Sequence, residues 1–499
     1  MGASARFAMG IALWLLKSSA IGQAPFELDP TFDTSIQSER IASALPLPDG
    51  KLLVAGTFDY PGSGYQLNLG RLNGNGMWDL TFSASAAGSA VLMAWDDRFY
   101  VLNTGVVRRV LYDGEPDPDF LEMNLGPYFG ALQAGDYFVY PDGRILLSGD
   151  HLLSDSIRGF EGHYNLIWFS NEGYLDTTQV HRACDGFVED IFPLPDGKFL
   201  LSGSWSVYDG TPVPNSTRLI RVFGDGSLDT TFAAPIWWGN PNNHTMLSDG
   251  KHLLGGAMQV YGIPNDTIGW VRLSPDGALD VSFNNSLPLL RSYSSDPSRS
   301  GVNGLMMLDS ARYVITGAFD RVDGQVRGAI ALVDSSGHLL DDYFTGNGCG
   351  MFDNNGIPAQ NLAGITPGQD GNYYIFGSYH GYDDGTMNYT GQRMVSRLYG
   401  LDVGMAEQGI QQDHSGRLLW IHPNPASTNT TLYHRLPIGA DRAYLVIRDM
   451  MGRQQDAFNL NAAEGQTLWD TRTVAPGTYS VELIMDGERL KCERVIVRP

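Results

Sequence analysis

The chain has 499 residues, of which 43% are hydrophobic and 11% aromatic, and it contains 60 glycines. This length allows several domains and a substantial core. The formal net charge of -22 argues against nucleic acid or an anionic membrane as a direct partner, because both attract basic surfaces. Three cysteines are too few for a disulfide framework.

The first 24 residues differ in character from everything that follows. Arg6 precedes an apolar run, FAMGIALWLL, which ends at Lys17 and a group of small residues closed by Ala20. A basic start, a short apolar run and a small-residue exit are typical of a secretory signal peptide. The run is too short to span a bilayer, and no other segment is long and apolar enough. The sequence therefore predicts a signal peptide over residues 1–24, export through the periplasm, and no transmembrane segment.

Residues 25–400 repeat one pattern, which is clearest in LPDGKFLLSGSW (residues 194–205) and RLIRVFGDGSLDTTF (residues 218–232). Each half consists of two apolar or alternating runs around a glycine-containing turn, as in a β-hairpin. Asp-Gly supplies the positive φ that such a turn needs. The first turn occurs seven times, about every 50 residues, a period typical of propellers and solenoids. Its copies are Asp49-Gly50, Asp96-Asp97, Asp142-Gly143, Asp196-Gly197, Asp249-Gly250, Asp309-Ser310 and Asp370-Gly371.

A second signature, Leu-Asp-x-Thr-Phe or a worn form of it, closes each repeat. Its aspartates are Asp29, Asp79, Asp117, Asp176, Asp229, Asp280 and Asp341. The first copy precedes every Asp-Gly hairpin, and the seventh repeat ends near Arg397 without one. We therefore predict that residues 27–33 supply the fourth strand of the last blade. The result is an all-β, seven-bladed β-propeller closed by an N-terminal strand, whereas a linear solenoid would need caps.

Three segments carry a family resemblance: PDGKLLVAGTF (residues 48–58), PDGKFLLSGSW (195–205) and RLSPDGALDVSF (272–283). They resemble the delta-60 repeat, a bacterial propeller-type repeat, over about residues 27–400. The second and sixth units depart from it. The resemblance implies a fold and no particular reaction.

The sequence offers no motif with a clear chemical role. A nucleophile elbow, a helical zinc motif and a strict calcium loop are all missing from it, so we predict no catalytic residue, no cofactor and no metal. The closing aspartates recur once per blade, as a fold requirement does, and we expect each to accept hydrogen bonds from nearby turn amides. A glycosidase-like carboxylate pair assembled by the fold stays open as an alternative.

Variable loops separate the second and third strands of several blades. Binding sites commonly lie on such loops above a rigid scaffold, and their Tyr, Asp and Asn content would suit a polar ligand such as a glycan. The alternative is that they are only solvated turns. The loops are residues 58–68, 206–217, 259–269, 319–328 and 380–391.

After residue 400 the repeat stops. Residues 401–418 are polar and predict a linker, and residues 419–499 predict about six or seven short strands in a small Ig-like β-sandwich. This tail resembles the C-terminal sorting domain of the type IX secretion system, with His422 where the family usually has Tyr. The matching motif residues are Pro423, Asn424, Pro425, Gly452, Arg453, Pro476, Gly477 and Tyr479.

The resemblance implies that the tail is a translocation address read by the type IX machinery and cleaved by a sortase-like peptidase, with the protein released or attached to the outer-membrane surface. Together these features favour an exported, non-enzymatic propeller that binds a glycan or a surface protein. Two alternatives stay open. One is a secreted polysaccharide-active hydrolase that uses a carboxylate pair, and the other is a structural surface component.

Overall fold

The structure is a computed structural model of the chain. It describes residues 26–497 except 61–65, 84–91, 104, 122–128, 214–216, 265–266, 295–299, 310, 342, 355, 369–370, 401–417, 423–425, 427–428, 437–442, 450–452, 461–463 and 486–487. The predicted signal peptide and nearly all of the predicted linker lie outside these residues. The chain divides into two compact units, Met1–Ala406 and Glu407–Pro499.

Within its described residues, the first unit contains seven antiparallel sheets of three main strands each, with short strands inserted in the connections of sheets 4 and 6 and one short strand added to sheet 7. The described part of the second unit contains one 3-10 helix, Thr471–Thr473, and the other elements described in the chain are strands. The all-β class is therefore confirmed. The sheets are numbered in chain order: sheet 1, Ser38–Pro46, Leu52–Asp59 and Leu67–Leu72; sheet 2, Leu92–Trp95, Arg98–Asn103 and Val106–Leu111; sheet 3, Phe129–Val139, Ile145–Asp155 and Phe160–Phe169; sheet 4, Phe187–Pro193, Phe199–Ser204 and Leu219–Val222; sheet 5, Ile236–Met246, His252–Val260 and Ile268–Leu273; sheet 6, Gly301–Met307, Arg312–Ala318 and Ile330–Asp334; sheet 7, Asn361–Pro367, Tyr373–Asp383 and Asn388–Leu398.

Eight short strands accompany sheets 4, 6 and 7 in the described residues, and four of them lie within the predicted variable loops. The predicted loop at 380–391 is instead a continuation of the two long strands of sheet 7, which pair as far as Asp383 and Asn388. The short strands are Val207–Tyr208 with Thr211–Pro212, Leu289–Leu290 with Arg321–Val322 and Gln325–Val326, Gly348–Cys349 beside sheet 7, and Phe352–Asn354 with Ile357–Ala359.

The middle strand of each sheet is apolar on both faces because both faces are covered. In sheet 4, Phe199–Ser204 buries five consecutive residues, and Leu200 and Leu201 belong to different clusters, shared with sheet 5 and sheet 3 respectively. Every pair of consecutive sheets shares a cluster of this kind. Sheets 1 and 7 also share one, to which sheet 1 contributes Val54 and sheet 7 contributes Val395.

The closing signatures are shorter than predicted. Each pairs with the third strand of its sheet through a single β-bridge, such as Leu72 to Trp78, and residues 27–33 do so through Leu28 and Leu398. No closing signature in the described residues forms a strand. The reason is local: Asp79 turns the chain at once by accepting hydrogen bonds from the amide and hydroxyl of Thr81, which compete with a ladder.

The closing signature of sheet 6 is one residue out of register with the prediction. Leu339 bridges Val333, and the amide of Leu340 donates to Leu332 O. Leu340, and not Asp341, therefore occupies the position that an aspartate holds in the other copies.

The second unit contains two antiparallel sheets in its described part. They meet at one core, to which the first sheet gives Leu432 and Trp469 and the second gives Ile447 and Val481. The first sheet consists of Leu419–His422, Asn429–Arg435 and Glu464–Asp470; the second consists of Gln454–Leu460, Ala443–Asp449, Gly477–Met485 and Glu488–Val497.

Candidate functional site

The predicted Asp-Gly turns adopt the expected left-handed conformation. Their glycines, Gly50, Gly143, Gly197, Gly250 and Gly371, have φ between 81° and 83°. The preceding aspartates, Asp49, Asp142, Asp196 and Asp249, each accept a hydrogen bond at 3.2 Å from the amide two residues on, and Asp370 lies outside the described residues. These contacts shape the turns.

The closing aspartates are held by more than their own turns. The Oδ2 atom of Asp79 accepts hydrogen bonds from Arg71 Nε at 2.7 Å and Lys51 Nζ at 3.0 Å, and Nη1 of Arg71 donates to Tyr112 O in the turn after the third strand of sheet 2. Burial alone would raise the pKa of Asp79, but the hydrogen bonds from Thr81, Lys51 and Arg71 lower it well below its usual value. The carboxylate is therefore ionised and fully engaged.

The same arrangement recurs in four more sheets, and we call it the clamp: a third-strand arginine bound to the closing aspartate and to a carbonyl in the turn that follows the third strand of the next sheet. The arginine was not predicted, although four of the five aspartates follow it at a constant spacing of eight residues. The Nε to Oδ2 distances are 2.6 Å for Arg109–Asp117, 2.8 Å for Arg221–Asp229, 2.9 Å for Arg272–Asp280 and 2.7 Å for Arg397–Asp29. The carbonyl acceptors are those of Asn171, Pro275, Ser335 and Gly74.

One cavity is lined by residues of two of the variable loops. It has a volume of about 370 Å³ and opens between sheets 4 and 5. Its lining includes Thr211 from the loop at 206–217, Tyr261 from the loop at 259–269, and Leu228 and Phe232 of the closing signature of sheet 4. We refer to this cavity as the cleft.

Exposed aromatic side chains lie at the cleft, where Tyr261 is part of the lining, and next to it, where Trp237 lies beside Tyr261. Tyr261 is 54% exposed, Trp237 is 38% and Trp238 is 36%, and the aromatic rings of Trp237 and Tyr261 lie 6.0 Å apart with planes inclined by 33°. A β-bulge between Ile236 and Trp238 explains the two adjacent exposed tryptophans, because the extra residue breaks the alternation of inward and outward side chains.

A second cavity of about 570 Å³ lies between sheets 2 and 3. Trp95, Arg98, Glu172 and Tyr174 line it. The guanidinium of Arg98 already pairs with Asp117 at 2.8 Å, so this cavity is largely an extension of the clamp in sheet 2.

Two carboxylates meet between the first strands of sheets 3 and 4. The amide of Ile191 donates to Asp136 Oδ2 at 3.3 Å, and Ser202 Oγ donates to Asp190 Oδ2 at 3.0 Å. Burial raises the pKa of Asp136 to about 6, and burial followed by the charge of Asp136 raises the pKa of Asp190 to about 8. Neither residue lines either cavity described above. This pair could not be predicted from the sequence, because only the fold brings the two strands together.

The described part of the sorting motif is structural in its contacts. Tyr479 is buried against Trp469 and its hydroxyl donates to Ala475 O at 2.5 Å, while Arg453 Nε donates to Asp449 at 2.7 Å. Pro476 and Gly477 are exposed at the start of a strand. Pro423, Asn424, Pro425 and Gly452 lie outside the described residues.

Metal sites and membrane-spanning helices were sought among the described residues. No group of three or more His, Cys, Asp or Glu side chains there is placed to hold a metal ion. No helix in the same part of the chain is long and apolar enough to cross a membrane.

Comparison with protein families finds the propeller repeat. Residues 47–82, 194–232 and 247–283 match the family described as "Domain of unknown function (DUF5122) beta-propeller", so the propeller-type resemblance is confirmed for these three copies. No curated protein matches the chain.

Several solved structures are similar to the chain. The extracellular domain of a hybrid two-component system from B. thetaiotaomicron is 10% identical, with a TM-score of 0.40, covering 94% of this chain and 60% of that one. PorZ, a surface component of the type IX secretion system of Porphyromonas gingivalis, is 10% identical, with a TM-score of 0.26, covering 92% and 81%. Regucalcin from Agrobacterium tumefaciens is 12% identical, with a TM-score of 0.28, covering 58% and 88%. Each score is below 0.5, so none of these likenesses assigns the chain a function.

Proposed function

We propose that this chain is an exported β-propeller that binds a ligand outside the cell at the cleft between sheets 4 and 5. The observation that carries the proposal is that two variable loops contribute to the lining of one cavity, together with the exposed Tyr261 and the exposed Trp237 beside it. Loops held by rigid sheets are where binding sites concentrate, and contiguous exposed aromatic surface marks interaction sites. The role is recognition without catalysis, with an extracellular glycan or surface protein as partner.

A blocking substitution in the cleft tests this role. Thr211 is exposed and lines the cleft, so Thr211→Arg should fill the cavity without disturbing the core. Labelled full-length protein carrying this change should be retained less on the surface of the producing cells than the unchanged protein. Gln325→Arg, on the corresponding exposed hairpin of sheet 6, is the matched control and should bind normally. Equal retention of both variants would remove the cleft from the proposal.

The propeller is proposed to be a closed ring of seven blades, with residues 27–33 completing the last. Support comes from the core shared by sheets 1 and 7 and from Asp29, whose amide donates to Arg397 O at 2.9 Å. Arg397 in turn donates to Gly74 O, in the turn after the third strand of sheet 1, at 2.8 Å. Deleting residues 25–33 should therefore lower the melting temperature, since Phe26, Leu28 and Phe32 would leave buried positions. An unchanged melting temperature would contradict closure.

The second unit is proposed to be an Ig-like sandwich that acts as a type IX secretion signal, preceded by the linker at 401–418 and removed by a sortase-like peptidase. Support comes from the ordered motif residues and from two sheets packed on one core. A chain truncated after residue 418 should fold but accumulate in the periplasm, so cell fractionation measures the effect. Normal export of the truncated chain would exclude the sorting role.

The hydrolase alternative is retained because one observation favours it: Asp136 and Asp190 are neighbours with raised pKa values, as general acids require. If these residues cleave polysaccharide, Asp190→Asn should abolish the release of reducing sugar ends. If they are only buried, the variant changes stability instead. Because the folded-state pKa of Asp190 is raised to about 8, the unfolded state loses its proton first, and stability falls as pH rises from about 4 to about 8. Asp190→Asn should therefore gain stability relative to the unchanged chain across this range and keep that gain above pH 8.

A further inference from the structure

The lining of the cleft offers a ligand no free charge among its described residues. Asp229 is its acidic member, and that carboxylate accepts hydrogen bonds from Thr231, Lys198 and Arg221. In a chain with a formal net charge of -22, an anionic ligand would also be repelled over long range. The cleft therefore suits a neutral ligand.

The remaining lining combines apolar surface with hydroxyl groups. Val213, Ile220 and Leu228 supply apolar area, and Thr211 and Thr230 bring hydroxyls to the same cavity. A volume of about 370 Å³ falls in the range of about 300–1,000 Å³ usual for small-molecule sites. A ligand with one apolar face and hydroxyl groups around its edge matches this composition better than a uniformly apolar one.

The aromatic residues at the cleft further restrict the class of ligand. Tyr261 lines the cleft, and the ring centroid of Trp237 lies 6.0 Å from that of Tyr261. Large aromatic side chains combine broad contact area with a polar edge, and they dominate interface energetics when they become covered. The C–H face of a pyranose is flat and weakly positive, and it packs on the electron-rich face of an aromatic ring while its hydroxyls stay free for hydrogen bonds.

We infer that the cleft binds a neutral sugar residue of an oligosaccharide, with its apolar face against Tyr261 and Trp237 and its hydroxyls toward the threonine side of the cavity. This inference rests on the proposed binding function and names its ligand class. A free or lipid-linked form of the same neutral glycan would be recognised alike, because the contacts involve only the sugar.

The test is a calorimetric titration of the full-length protein with cellohexaose, mannohexaose and tetragalacturonate, with Nile red as an apolar probe. A neutral oligosaccharide should bind, and the acidic one and Nile red should not. Trp237→Ala and Tyr261→Ala should each weaken the association constant about tenfold, whereas Tyr261→Phe, which keeps the aromatic face, should bind nearly as well as the unchanged chain. Tyr174→Ala, an exposed aromatic in the second cavity, is the matched control.

The outcomes separate this inference from the proposed function. Retention on cells that depends on the cleft, without binding of either neutral oligosaccharide, would overturn the sugar assignment and leave the recognition role intact. Binding of a neutral oligosaccharide that survives both alanine substitutions would place the sugar elsewhere and overturn the inference. Binding of Nile red that none of the sugars displaces would overturn the inference and make the cleft a site for apolar ligands. Equal binding of tetragalacturonate would contradict the charge argument.

Discussion

Sheets 3 and 6 lack the clamp that the other five sheets share, and each replaces it differently. In sheet 3 the arginine position holds Trp168, which is 1% exposed and lies close against Gly226 of sheet 4. Arg182, beyond the closing aspartate, donates instead to Asp225 O at 2.9 Å. The link between neighbouring sheets is preserved, although the residue that makes it has moved.

Sheet 6 removes both halves of the ion pair. Leu332 and Leu340 occupy the positions of the arginine and the aspartate, and Leu332 is 1% exposed within the core shared with sheet 7. A buried ion pair can be exchanged for apolar residues with little loss, whereas removing one partner leaves an uncompensated charge. The clamp is therefore one of several ways to join neighbouring sheets, and each of its two charges is tolerated in the core only because the other is present.

Breaking the clamp in sheet 1 should produce the largest effect. Arg71→Ala leaves Asp79 buried with Lys51 as its remaining cation, and we expect the free energy of unfolding to fall by about 3 kcal/mol. Chemical denaturation measures it. The control is Arg144→Ala, which removes a pair with Asp142 at 2.8 Å that is largely exposed and should cost about 0–1 kcal/mol. Similar losses in the two variants would show that burial does not set the value of the clamp.

Breaking the substitute link in sheet 3 should have an intermediate effect. Arg182→Ala removes the hydrogen bonds to Asp225 O and Asp209 Oδ2, and hydrogen bonds of charged groups contribute about 1.5–3 kcal/mol. Denaturation of the variant should show a loss in that range. Arg182→Lys keeps the charge without the planar fork, so its free energy of unfolding should lie between those of Arg182→Ala and the unchanged chain. A lysine variant as stable as the unchanged chain would show that charge alone suffices.

Copying the sheet 6 solution into sheet 1 should have the smallest effect. The double variant Arg71→Leu with Asp79→Leu removes both charges together, and we expect its unfolding free energy within about 1.5 kcal/mol of the unchanged chain. A double variant as unstable as Arg71→Ala would refute the exchange argument.

The same double variant should also differ in its response to acid. The folded-state pKa of Asp79 is lowered, after the opposing effect of burial, by hydrogen bonds from Thr81, Lys51 and Arg71. A lowered carboxyl pKa contributes stability that is present above the unfolded value of about 3.9 and is lost as pH falls below it. The double variant should therefore lose less stability than the unchanged chain between pH 4 and pH 2. Parallel pH curves would contradict this.

The repeated local features of the fold could be predicted from the sequence, whereas the contacts between neighbouring repeats could not. The Asp-Gly turns, the doubly apolar middle strands and the all-β class depend on local chemistry, so patterns such as KFLLSG were sufficient. The arginine of the clamp was visible only as a spacing, because its partner carbonyl belongs to another repeat. In sheet 6 an added residue in the closing signature shifted the register, and counting from Phe344 led to Asp341 in place of Leu340.

The candidate site could also be predicted only where its features are local in the sequence. Variable loops pointed to the cleft, since sequence alone shows where length changes while strands persist. The exposure of Trp237 and Trp238 depends on a β-bulge, which alternation of residue types does not reveal. The contact between the strands of Asp136 and Asp190 depends on the packing of two sheets and has no local signal.

The bridge between Leu28 and Leu398 has a consequence for biogenesis. A chain delivered amino end first, from a ribosome or a translocation channel, presents residues 26–32 long before their partner strand exists. Phe26, Leu28 and Phe32, each at most 1% exposed in the finished molecule, must stay uncovered during that interval, when apolar segments are prone to aggregate. A circular permutant of residues 26–400 opened at the Asp142-Gly143 turn would bring both partners of this bridge close together in the order of synthesis, and its yield would show how much the delay reduces folding in the natural order.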